Sequence, residues 1–514
     1  MDWNQARTFG DLVDLAVTAY GSKDALRDQH RTLSYEAYAA EIAQIASVLS
    51  AQGVRCGNRI AILSQNRVEL PVLLGLCRYG FVPVPLNWRL SAEDIGSLLR
   101  DCEPAALFVE DRYVATLDQL PELAATQVVV MGTAGPGQRS YDAMLKEPQS
   151  GLPAAPGAND PACIIYTSGT TGTPKGAVLT QGAAVKNCRD LACEGIRFTD
   201  SDVSLLVMPL FHVGGIWYYM FPSLFAGATV ILQERFDPDM VVAGFEADPV
   251  TNIHVVPTML ADLLNRPAFV AAAKRLRLVV YAGSSMPLDL LLRAMGTLGA
   301  CEFFQAYGST EAGSITSLDP QAHRLAAADP SRRQLLRSCG KPLADTEVRI
   351  EQTPGEADVV GEILVRSGKL MAAYWRRPEA TAERFTDDGW FRTGDLGYLD
   401  KDGYLYIVDR KNDLVISGGE NIFPFEVEEA LSSHPLIDEA SVFGVPDPRW
   451  VERLVAAVVL KPGAALSSDD IVQYARTQLP GYKTPKTVHI VEGLPKSAVG
   501  KVLRKTLRER FKTD

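Results

Sequence analysis

The chain has 514 residues, of which 47% are hydrophobic and 22% are charged, and its formal net charge is -11 at pH 7. The length exceeds that of one ordinary domain, and the composition is that of a globular protein. The acidic balance, with no basic block to offset it, argues against a nucleic-acid-binding surface.

The predicted strands alternate with helices through most of the chain. The runs "RIAILSQ" (Arg59–Gln65), "VTNIHVVP" (Val250–Pro257), "LRLVVYAG" (Leu276–Gly283) and "CEFFQAYG" (Cys301–Gly308) are continuous apolar strands between helix-like stretches. This pattern predicts the α/β class, with a large N-terminal domain of two mostly parallel sheets covered on both faces.

One uncharged run, Val203–Gln233, is long enough to span a bilayer. Pro209, Pro222 and the Gly214–Gly215 pair divide it into short pieces, so we predict two buried strands with a helix between them. The N-terminus lacks a basic segment followed by an apolar one, so no signal peptide is expected. The eight cysteines show no zinc-site spacing. Together these features predict a cytoplasmic protein with reduced cysteines.

The pattern changes near residue 340. Short, turn-bounded strands predict a small β-barrel-like subdomain at about 335–410, and a compact α+β pattern follows from Asp413. We therefore predict an N-terminal domain at 1–410 and a mobile C-terminal domain at 411–514, joined at the polar "DRKND" segment.

The stretch "YTSGTTGTPKG" (Tyr166–Gly176) has the composition of a phosphate-binding loop. Glycine lets backbone N–H groups approach an anion, Ser and Thr add hydroxyl donors, and Lys175 adds a positive charge. The Walker A pattern does not match, because Pro174 stands where Gly is required and Gly176 follows the lysine. A plain Gly/Thr-rich loop is the alternative. The flanking strand and the predicted helix "AAVKNCRDLA" favour a polyphosphate cradle.

At this loop the chain resembles the adenylate-forming (AMP-binding) superfamily, in its acyl-CoA synthetase branch of aryl- and fatty-acid–CoA ligases. "QAYGSTEAG" (Gln305–Gly313), the segment Phe391–Leu431 and "LPKSAVGKVLRK" (Leu494–Lys505) resemble its later motifs in order, so the resemblance covers nearly the whole chain. It implies that a carboxylate attacks the α-phosphate of Mg-ATP, and that the thiol of coenzyme A then displaces AMP. The implied cofactors are ATP, Mg²⁺ and coenzyme A.

The resemblance also implies roles for single residues in the first step. Thr310 would contact the α-phosphate, and Glu311 would bind Mg²⁺, a hard cation that prefers carboxylate oxygen; a solvated Glu at a turn is the alternative. The implied contacts are Thr167, Ser168, Gly169, Thr170, Thr171 and Lys175 on the β- and γ-phosphates, and Gln305, Ala306 and Tyr307 on the adenine.

Three further charged residues complete the implied first step. Asp395 and Arg410 would hold the ribose, and Lys501 would offset the negative charge where carboxylate meets phosphate. The alternatives are an Asp that shapes a turn, a surface Arg and one more Lys on a basic helix.

For the second step the resemblance implies a rotation of the C-terminal domain. Asn412 stands at the hinge, where relatives commonly have Asp or Lys, and Asn tolerates unusual backbone angles. Thr484 replaces a cation that some relatives carry near coenzyme A. The residues implied along the coenzyme A path are Arg89, Gly418, Gly419, Asn421, Trp450 and Tyr482.

The residues that line the implied acyl pocket are small or neutral. With no Arg or Lys in its segments, a second substrate carboxylate is disfavoured, and its glycines leave room for a ring or a medium to long chain. His212 is either an aromatic gate at the carboxylate or a hydrogen-bonded core histidine. The implied pocket residues are His212, Val213, Gly214, Gly215, Tyr281, Gly283 and Ser284.

Three functions are thus under comparison. The first is a CoA ligase whose partners are a small carboxylic acid, ATP and CoA, with a homodimer as the default assembly. The second is a free-standing adenylation enzyme that loads a carrier protein, or a luciferase-like oxygenase. The third is a non-catalytic ATP-binding regulatory protein, against which stand the retained Lys175, Glu311, Asp395, Arg410 and Lys501.

Overall fold

The computed structural model describes residues 2–117, 119–120, 126–167, 174–352, 360–417, 420–496 and 502–512. The chain divides into two compact units. Unit 1 comprises Met1–Glu347 and Val365–Phe391, and unit 2 comprises Val348–Leu364 and Arg392–Asp514.

The strands of the described chain are short, as expected for a doubly covered sheet protein. In chain order they are β1 (Asp24–Arg27), β2 (Thr32–Ser34), β3 (Arg59–Leu63), β4 (Val82–Leu86), β5 (Ala106–Glu110), β6 (Gln127–Met131), β7 (Arg139–Ser140), β8 (Pro161–Thr167), β9 (Lys175–Thr180), β10 (Val203–Leu206), β11 (Thr229–Leu232), β12 (Asn252–Val255), β13 (Leu278–Ala282), β14 (Glu302–Ser309), β15 (Gly313–Leu318), β16 (Lys341–Pro342), β17 (Thr346–Gln352), β18 (Gly361–Ser367), β19 (Ala373–Tyr374), β20 (Phe391–Leu399), β21 (Leu405–Arg410), β22 (Val415–Ser417), β23 (Glu420–Ile422), β24 (Ile437–Asp447), β25 (Val451–Leu460) and β26 (Thr487–Ile490).

The α-helices lie between these strands. They are α1 (Phe9–Tyr20), α2 (Tyr35–Ala51), α3 (Glu69–Leu74), α4 (Ala92–Cys102), α5 (Val114–Leu117), α6 (Tyr141–Met144), α7 (Gln181–Arg189), α8 (Val213–Gly215), α9 (Phe221–Phe225), α10 (Pro238–Ala247), α11 (Pro257–Leu264), α12 (Pro267–Ala272), α13 (Leu288–Leu298), α14 (Pro320–Ala328), α15 (Pro378–Ala382), α16 (Pro424–Ser432), α17 (Ser468–Gln478) and α18 (Arg504–Arg510). Short 3-10 segments lie at Trp3–Gln5, Gly75–Tyr79, Asp111–Tyr113, Ala273–Arg275, Pro330–Arg337 and Gly481–Lys483, and π-helical segments lie at Asp190–Gly195 and Ile216–Met220.

The predicted parallel sheets of unit 1 are confirmed. The larger sheet has the order β16-β15-β14-β13-β12-β10-β11-β1-β2, and the smaller has the order β4-β3-β5-β6-β7. From β14 to β1 the neighbours of the larger sheet are parallel, and β2, β15 and β16 add antiparallel edges. All pairs of the smaller sheet are parallel. Each sheet thus brings the carboxyl ends of several parallel strands to one edge.

The uncharged run Val203–Gln233 is a buried core segment, as predicted. It forms β10, α8, the second π-helical segment, α9 and β11 in sequence, and nearly all of its side chains are buried. Across the part of the chain that the structure describes, no helix is long and apolar enough to cross a membrane.

The phosphate-loop region differs from the prediction in one element. A helix was expected to follow the loop directly, but Lys175–Thr180 first forms β9, and Thr180 then caps α7. Strand β9 pairs with β8 on one side and with β19 on the other, both antiparallel. Because β19 comes from residues 373–374, a distant partner completes this sheet, which local sequence does not reveal.

Unit 2 contains two sheets. One has the order β17-β18-β20-β21 and corresponds to the predicted β subdomain; the other has the order β23-β22-β25-β24, with β26 beside β25. Helices α16 and α17 contact each other, and α16 also packs on β24. Most of the β subdomain therefore groups with the C-terminal residues. The boundary at residue 410, after which the mobile C-terminal domain is predicted to begin, stays a prediction.

Candidate active site

The turn between β14 and β15 presents Thr310 and Glu311. A Cβ atom on Gly308 would lie 2.2 Å from the carbonyl oxygen of Gly313, and Gly313 has a positive φ of 71°. Both positions therefore require glycine, the first for space and the second for its backbone angle. Thr310 is buried at 5% exposure, whereas Glu311 is partly exposed.

Two hydroxyl groups converge on the Glu311 carboxylate. The hydroxyls of Thr167 and Tyr374 donate to its Oε1 at 3.3 and 2.9 Å, and the Met371 N–H donates to its backbone carbonyl at 2.7 Å. Burial raises the pKa of Tyr374, and the Glu311 charge raises it further, so the phenol remains a donor. The structure thus brings a predicted phosphate-loop residue and the predicted metal ligand together.

Lys175 lies beside this cluster. It pairs with Thr167 across the β8–β9 hairpin, and its Nζ is 5.3 Å from the centroid of the Tyr374 ring. An ammonium over an aromatic ring keeps its charge available to an incoming anion. The predicted loop residues Ser168, Gly169, Thr170 and Thr171 lie outside the described residues.

The hydrogen bonding of Glu311 leaves a carboxylate oxygen that could bind a magnesium ion arriving with phosphates. Both hydroxyls donate to Oε1, and Oε2 receives no hydrogen bond from the described residues. Mg²⁺ is commonly bound by one or two carboxylates together with substrate phosphates and water. Within the described ranges no group of three or more His, Cys, Asp or Glu side chains could hold an ion without such help.

The predicted adenine segment lies on β14. Gln305, Ala306 and Tyr307 are held between β13 and β15, opposite Leu318, Ser317 and Thr316 of β15. The side-chain oxygen of Gln305 is buried and has no hydrogen-bond partner among the residues described. A buried amide oxygen of this kind can accept a hydrogen bond from a ligand amino group.

His212 stands at the start of α8. Its Nδ1 accepts a hydrogen bond from the Gly214 N–H at 3.3 Å, and the ring is partly exposed. Val213, Gly214 and Gly215 are buried. A Cβ atom on Gly215 would lie 2.7 Å from the Pro209 carbonyl oxygen, so no side chain fits there.

The remaining predicted acyl residues lie at the end of β13. Gly283 has a positive φ of 88°, and both Gly283 and Ser284 are exposed. Tyr281 is buried, and its hydroxyl donates to Nε2 of His323 at 2.8 Å, while His323 Nδ1 donates to the Asp319 carbonyl at 2.8 Å. Because the Tyr281 side chain is used in this packing, a contact with substrate would fall to its backbone.

In unit 2 the predicted ribose residues are neighbours. Asp395 and Arg410 are paired across β20 and β21, and Arg410 Nε lies 3.6 Å from Asp395 Oδ1. The Asp395 N–H donates to Thr393 Oγ1 at 3.1 Å within β20. Asn412 is exposed in the turn after β21.

The predicted coenzyme A residues of unit 2 include two exposed aromatic rings. Trp450 and Tyr482 are 37% and 44% exposed. Asn421 lies on β23, while Gly418, Gly419 and Lys501 fall outside the described residues. In unit 1, the Arg89 guanidinium lies 4.6 Å from the Trp88 ring centroid.

Sequence reasoning missed the residues that support these sites. Lys369 Nζ lies 2.9 Å from Asp190 Oδ2, and both side chains are 1% exposed. In unit 2, Arg504 on α18 contacts Asp413 and Glu428 at 3.0 and 2.7 Å, so it holds the helix that follows the Lys501 motif. Arg504, Asp413 and Glu428 lie inside the motif segments quoted above, but their pairing joins residues that are distant in the chain, which no local pattern indicates.

The comparisons with known proteins cover almost the whole chain. The family model "AMP-binding enzyme" matches residues 13–375, and "AMP-binding enzyme C-terminal domain" matches residues 426–501. An indoleacetate–CoA ligase of Aromatoleum aromaticum is 38% identical over 95% of both chains. A fatty acid–[acyl-carrier-protein] ligase of Streptomyces coeruleorubidus is 35% identical over 94% of this chain and 92% of its own.

Among solved structures, the chain is similar to the o-succinylbenzoate CoA synthetase of Bacillus subtilis, determined with its acyl-adenylate intermediate. The TM-score is 0.81 at 32% identity, over 97% of both chains.

Proposed function

The chain belongs to the AMP-binding enzyme family, and on that premise we propose that it is an acid–CoA ligase for an aryl or medium- to long-chain carboxylic acid. In the first step a carboxylate oxygen attacks the α-phosphorus of ATP, and pyrophosphate leaves from an acyl-adenylate. In the second step the thiol of CoA attacks the acyl carbonyl, a thioester forms, and AMP leaves.

The convergence of Thr167 and Tyr374 on Glu311 carries this proposal. It joins the phosphate-loop hairpin to the turn that presents Thr310, so the β- and γ-phosphates and the α-phosphate would lie near one carboxylate. Glu311 would hold Mg²⁺, which neutralises phosphate charge when bound. Lys175 would contact the departing pyrophosphate, and Thr310 the α-phosphate.

Nucleoside recognition is assigned to two sets of residues. Gln305, Ala306 and Tyr307 would contact the adenine; the buried, unpartnered amide oxygen of Gln305 supports this. Asp395 and Arg410 would hold the ribose hydroxyls, which their pairing across two strands supports. Paired acceptor and donor groups suit a vicinal diol.

The C-terminal residues are assigned by family resemblance. Lys501 would stabilise the charge of the first step, and Gly418 with Gly419 would line the path of the thiol arm. The exposed rings of Trp450 and Tyr482 would line the CoA path or stack on its adenine. Rotation about Asn412 between the steps, a homodimer and a cytoplasmic location are further parts of the proposal.

One assay separates the three candidate functions. The protein is incubated with Mg-ATP, CoA and a panel of carboxylic acids, and AMP and thioester are measured by mass. AMP together with CoA thioester is the expected result. Adenylate without thioester would favour a carrier-protein acceptor, and no turnover with any acid would favour a regulatory protein.

A variant of Lys501 tests the assignment of steps. Lys501→Ala is expected to suppress adenylate formation strongly while thioester formation from a supplied acyl-adenylate stays largely intact. Chelation of Mg²⁺ is expected to affect the first step alone. Equal loss of both steps in the variant would contradict a lysine that acts only in adenylation.

A further inference from the structure

His254 is a second imidazole beside the predicted acyl pocket. It lies on β12 at 2% exposure, with its ring centroid 5.5 Å from that of Tyr219. A Cβ atom on Gly214 would lie 3.6 Å from His254 Cε1 and 3.6 Å from His212 Nδ1. Both distances are ordinary van der Waals contacts, so Gly214 leaves room for about one methyl group between the two rings. His212 is partly exposed and His254 is buried.

The ring nitrogens of His254 lack partners. Both are buried, and neither is in ordinary hydrogen-bond geometry with any residue the structure describes; the Gly214 backbone interacts with the ring only weakly. Burial lowers the pKa of His254 to about 4, although the nearby Gly214 backbone opposes part of this effect. The ring is therefore neutral at pH 7 and offers one donor and one acceptor. Buried polar atoms are normally paired, so two unpaired ones in one ring require an explanation.

His323 shows what a structural histidine looks like in the same unit. It is equally buried, and burial lowers its pKa to about 4 as well. Its two nitrogens, however, bond Tyr281 and Asp319 at 2.8 Å each. The packing around His254 provides no such partners, although a phenyl ring would fill the same volume without polar atoms to satisfy.

We propose that the partner of His254 is a polar atom of the acyl substrate. This inference rests on the proposed function and narrows it. The acid carries a hydroxyl, ring N–H or carbonyl group on its acyl portion, distant from the carboxylate, and plain hydrocarbon acids of the same shape are poor substrates. An acid without that group would leave the buried imidazole unpaired, and a site built in this way discriminates strongly against such analogues.

The test compares matched acids in the wild-type protein and in His254→Phe. The pairs are 4-hydroxycinnamate with cinnamate, indole-3-acetate with 1-naphthaleneacetate, and 12-hydroxydodecanoate with dodecanoate. For at least one pair the wild-type kcat/KM for pyrophosphate release is expected to favour the polar acid at least 10-fold. In His254→Phe this ratio is expected to fall at least 10-fold, with turnover of the apolar acid retained or increased.

Two further variants test whether a change in the ratio comes from the loss of the polar atoms of His254. His254→Gln keeps a donor and an acceptor and is expected to retain more of the preference than His254→Phe. His434→Phe makes the same chemical change beside Tyr474 in unit 2 and is expected to leave the ratio unchanged. Because the pKa of His254 is about 4, the wild-type ratio is also expected to be constant between pH 6 and pH 8.

The outcomes separate this inference from the ligase proposal. Wild-type activity with no preference for polar acids, or an unchanged ratio in His254→Phe, would overturn the role of His254 and leave the ligase intact. Failure of the wild-type protein to release pyrophosphate with any acid would instead overturn the proposed function. If His254→Phe does not fold, the ratio of kcat/KM for the polar and apolar acids is measured in His254→Gln instead.

Discussion

Two carboxylates of unit 1, Asp190 and Glu311, are contacted by the same segment, Lys369–Tyr374, but they differ in the groups that bind them. Asp190 receives the ammonium of Lys369 in a fully buried pair. Glu311 receives only the hydroxyls of Tyr374 and Thr167, with one oxygen left over among the described contacts. A buried charge must be paired where it stands. A partly exposed carboxylate without a cation can receive one with its substrate. We expect Lys369, at the first end of the segment, to stabilise the fold, and we propose that Tyr374, at the second end, supports the chemistry through Glu311.

Removal of the Lys369 ammonium, which pairs with Asp190, is expected to cause the largest loss of unfolding free energy. Lys369→Met breaks the buried pair and leaves Asp190 with the Arg189 guanidinium, 3.2 Å from its Oδ1, as the remaining cation, so the unfolding free energy is expected to fall by up to about 3–5 kcal/mol. Urea unfolding followed by tryptophan fluorescence measures it. The matched control is Lys186→Met, whose exposed pair with Asp345 is 3.9 Å long and is worth about 1 kcal/mol or less. Equal losses of unfolding free energy in Lys369→Met and Lys186→Met would contradict a stabilising role specific to the buried Lys369–Asp190 pair.

Neutralisation of the other carboxylate is expected to affect activity instead. Glu311→Gln keeps an oxygen that accepts both hydroxyl hydrogen bonds but removes the charge that holds Mg²⁺. Pyrophosphate release is expected to fall by on the order of 100-fold, with partial rescue at high Mg²⁺. The unfolding free energy is expected to change by less than about 1 kcal/mol. A large loss of stability with normal turnover would reverse the assignment.

A smaller change at the same carboxylate sharpens the comparison. Tyr374→Phe removes one hydrogen bond to Glu311 but keeps the ring beside Lys175. A hydrogen bond to a charged group contributes about 1.5–3 kcal/mol, so the half-saturating Mg²⁺ concentration is expected to rise about 10-fold. Tyr374→Leu, which also removes the ring, is the comparison variant and is expected to weaken ATP binding further. An unchanged Mg²⁺ titration for Tyr374→Phe would contradict a link between this hydroxyl and the metal.

The smallest expected effect concerns pH and a second paired carboxylate. Burial alone would raise the pKa of Asp202, but hydrogen bonds from Arg277, Thr251 and the Thr199 N–H outweigh burial and lower it. A lowered folded pKa stabilises the protein above the ordinary value of about 3.8, and this contribution is lost as pH falls through the folded pKa.

The difference in unfolding free energy between wild type and Asp202→Asn is therefore expected to shrink as the pH is lowered from 6 to 3. Urea titrations at four or five pH values measure it. A difference that grows towards pH 3 would contradict the direction of the shift. Asp409 and Glu428 of unit 2 show the opposite case, because burial there raises both pKa values despite Arg504.

The sequence alone determined the fold class and much of the candidate site. Apolar strands alternating with helices predicted the parallel sheets, and the motifs predicted Lys175, Glu311, Asp395 and Arg410. The fold prediction is confirmed because strand periodicity is a local signal. The motifs are equally local, with turn glycines and clustered hydroxyls within a few residues of one another, but the roles of these four residues stay predictions.

Only the tertiary structure decided which residues bind each buried or partly buried polar group. Tyr374 and Thr167 meet Glu311 because β9 pairs with both β8 and β19, and no local pattern specifies that pairing. The structure also separates His254, whose nitrogens are unpaired, from His323, whose nitrogens are bonded, although both are single histidines in apolar surroundings. The physical reason is the same in both cases: the partners of a buried polar group come from strands and helices that are distant in the chain.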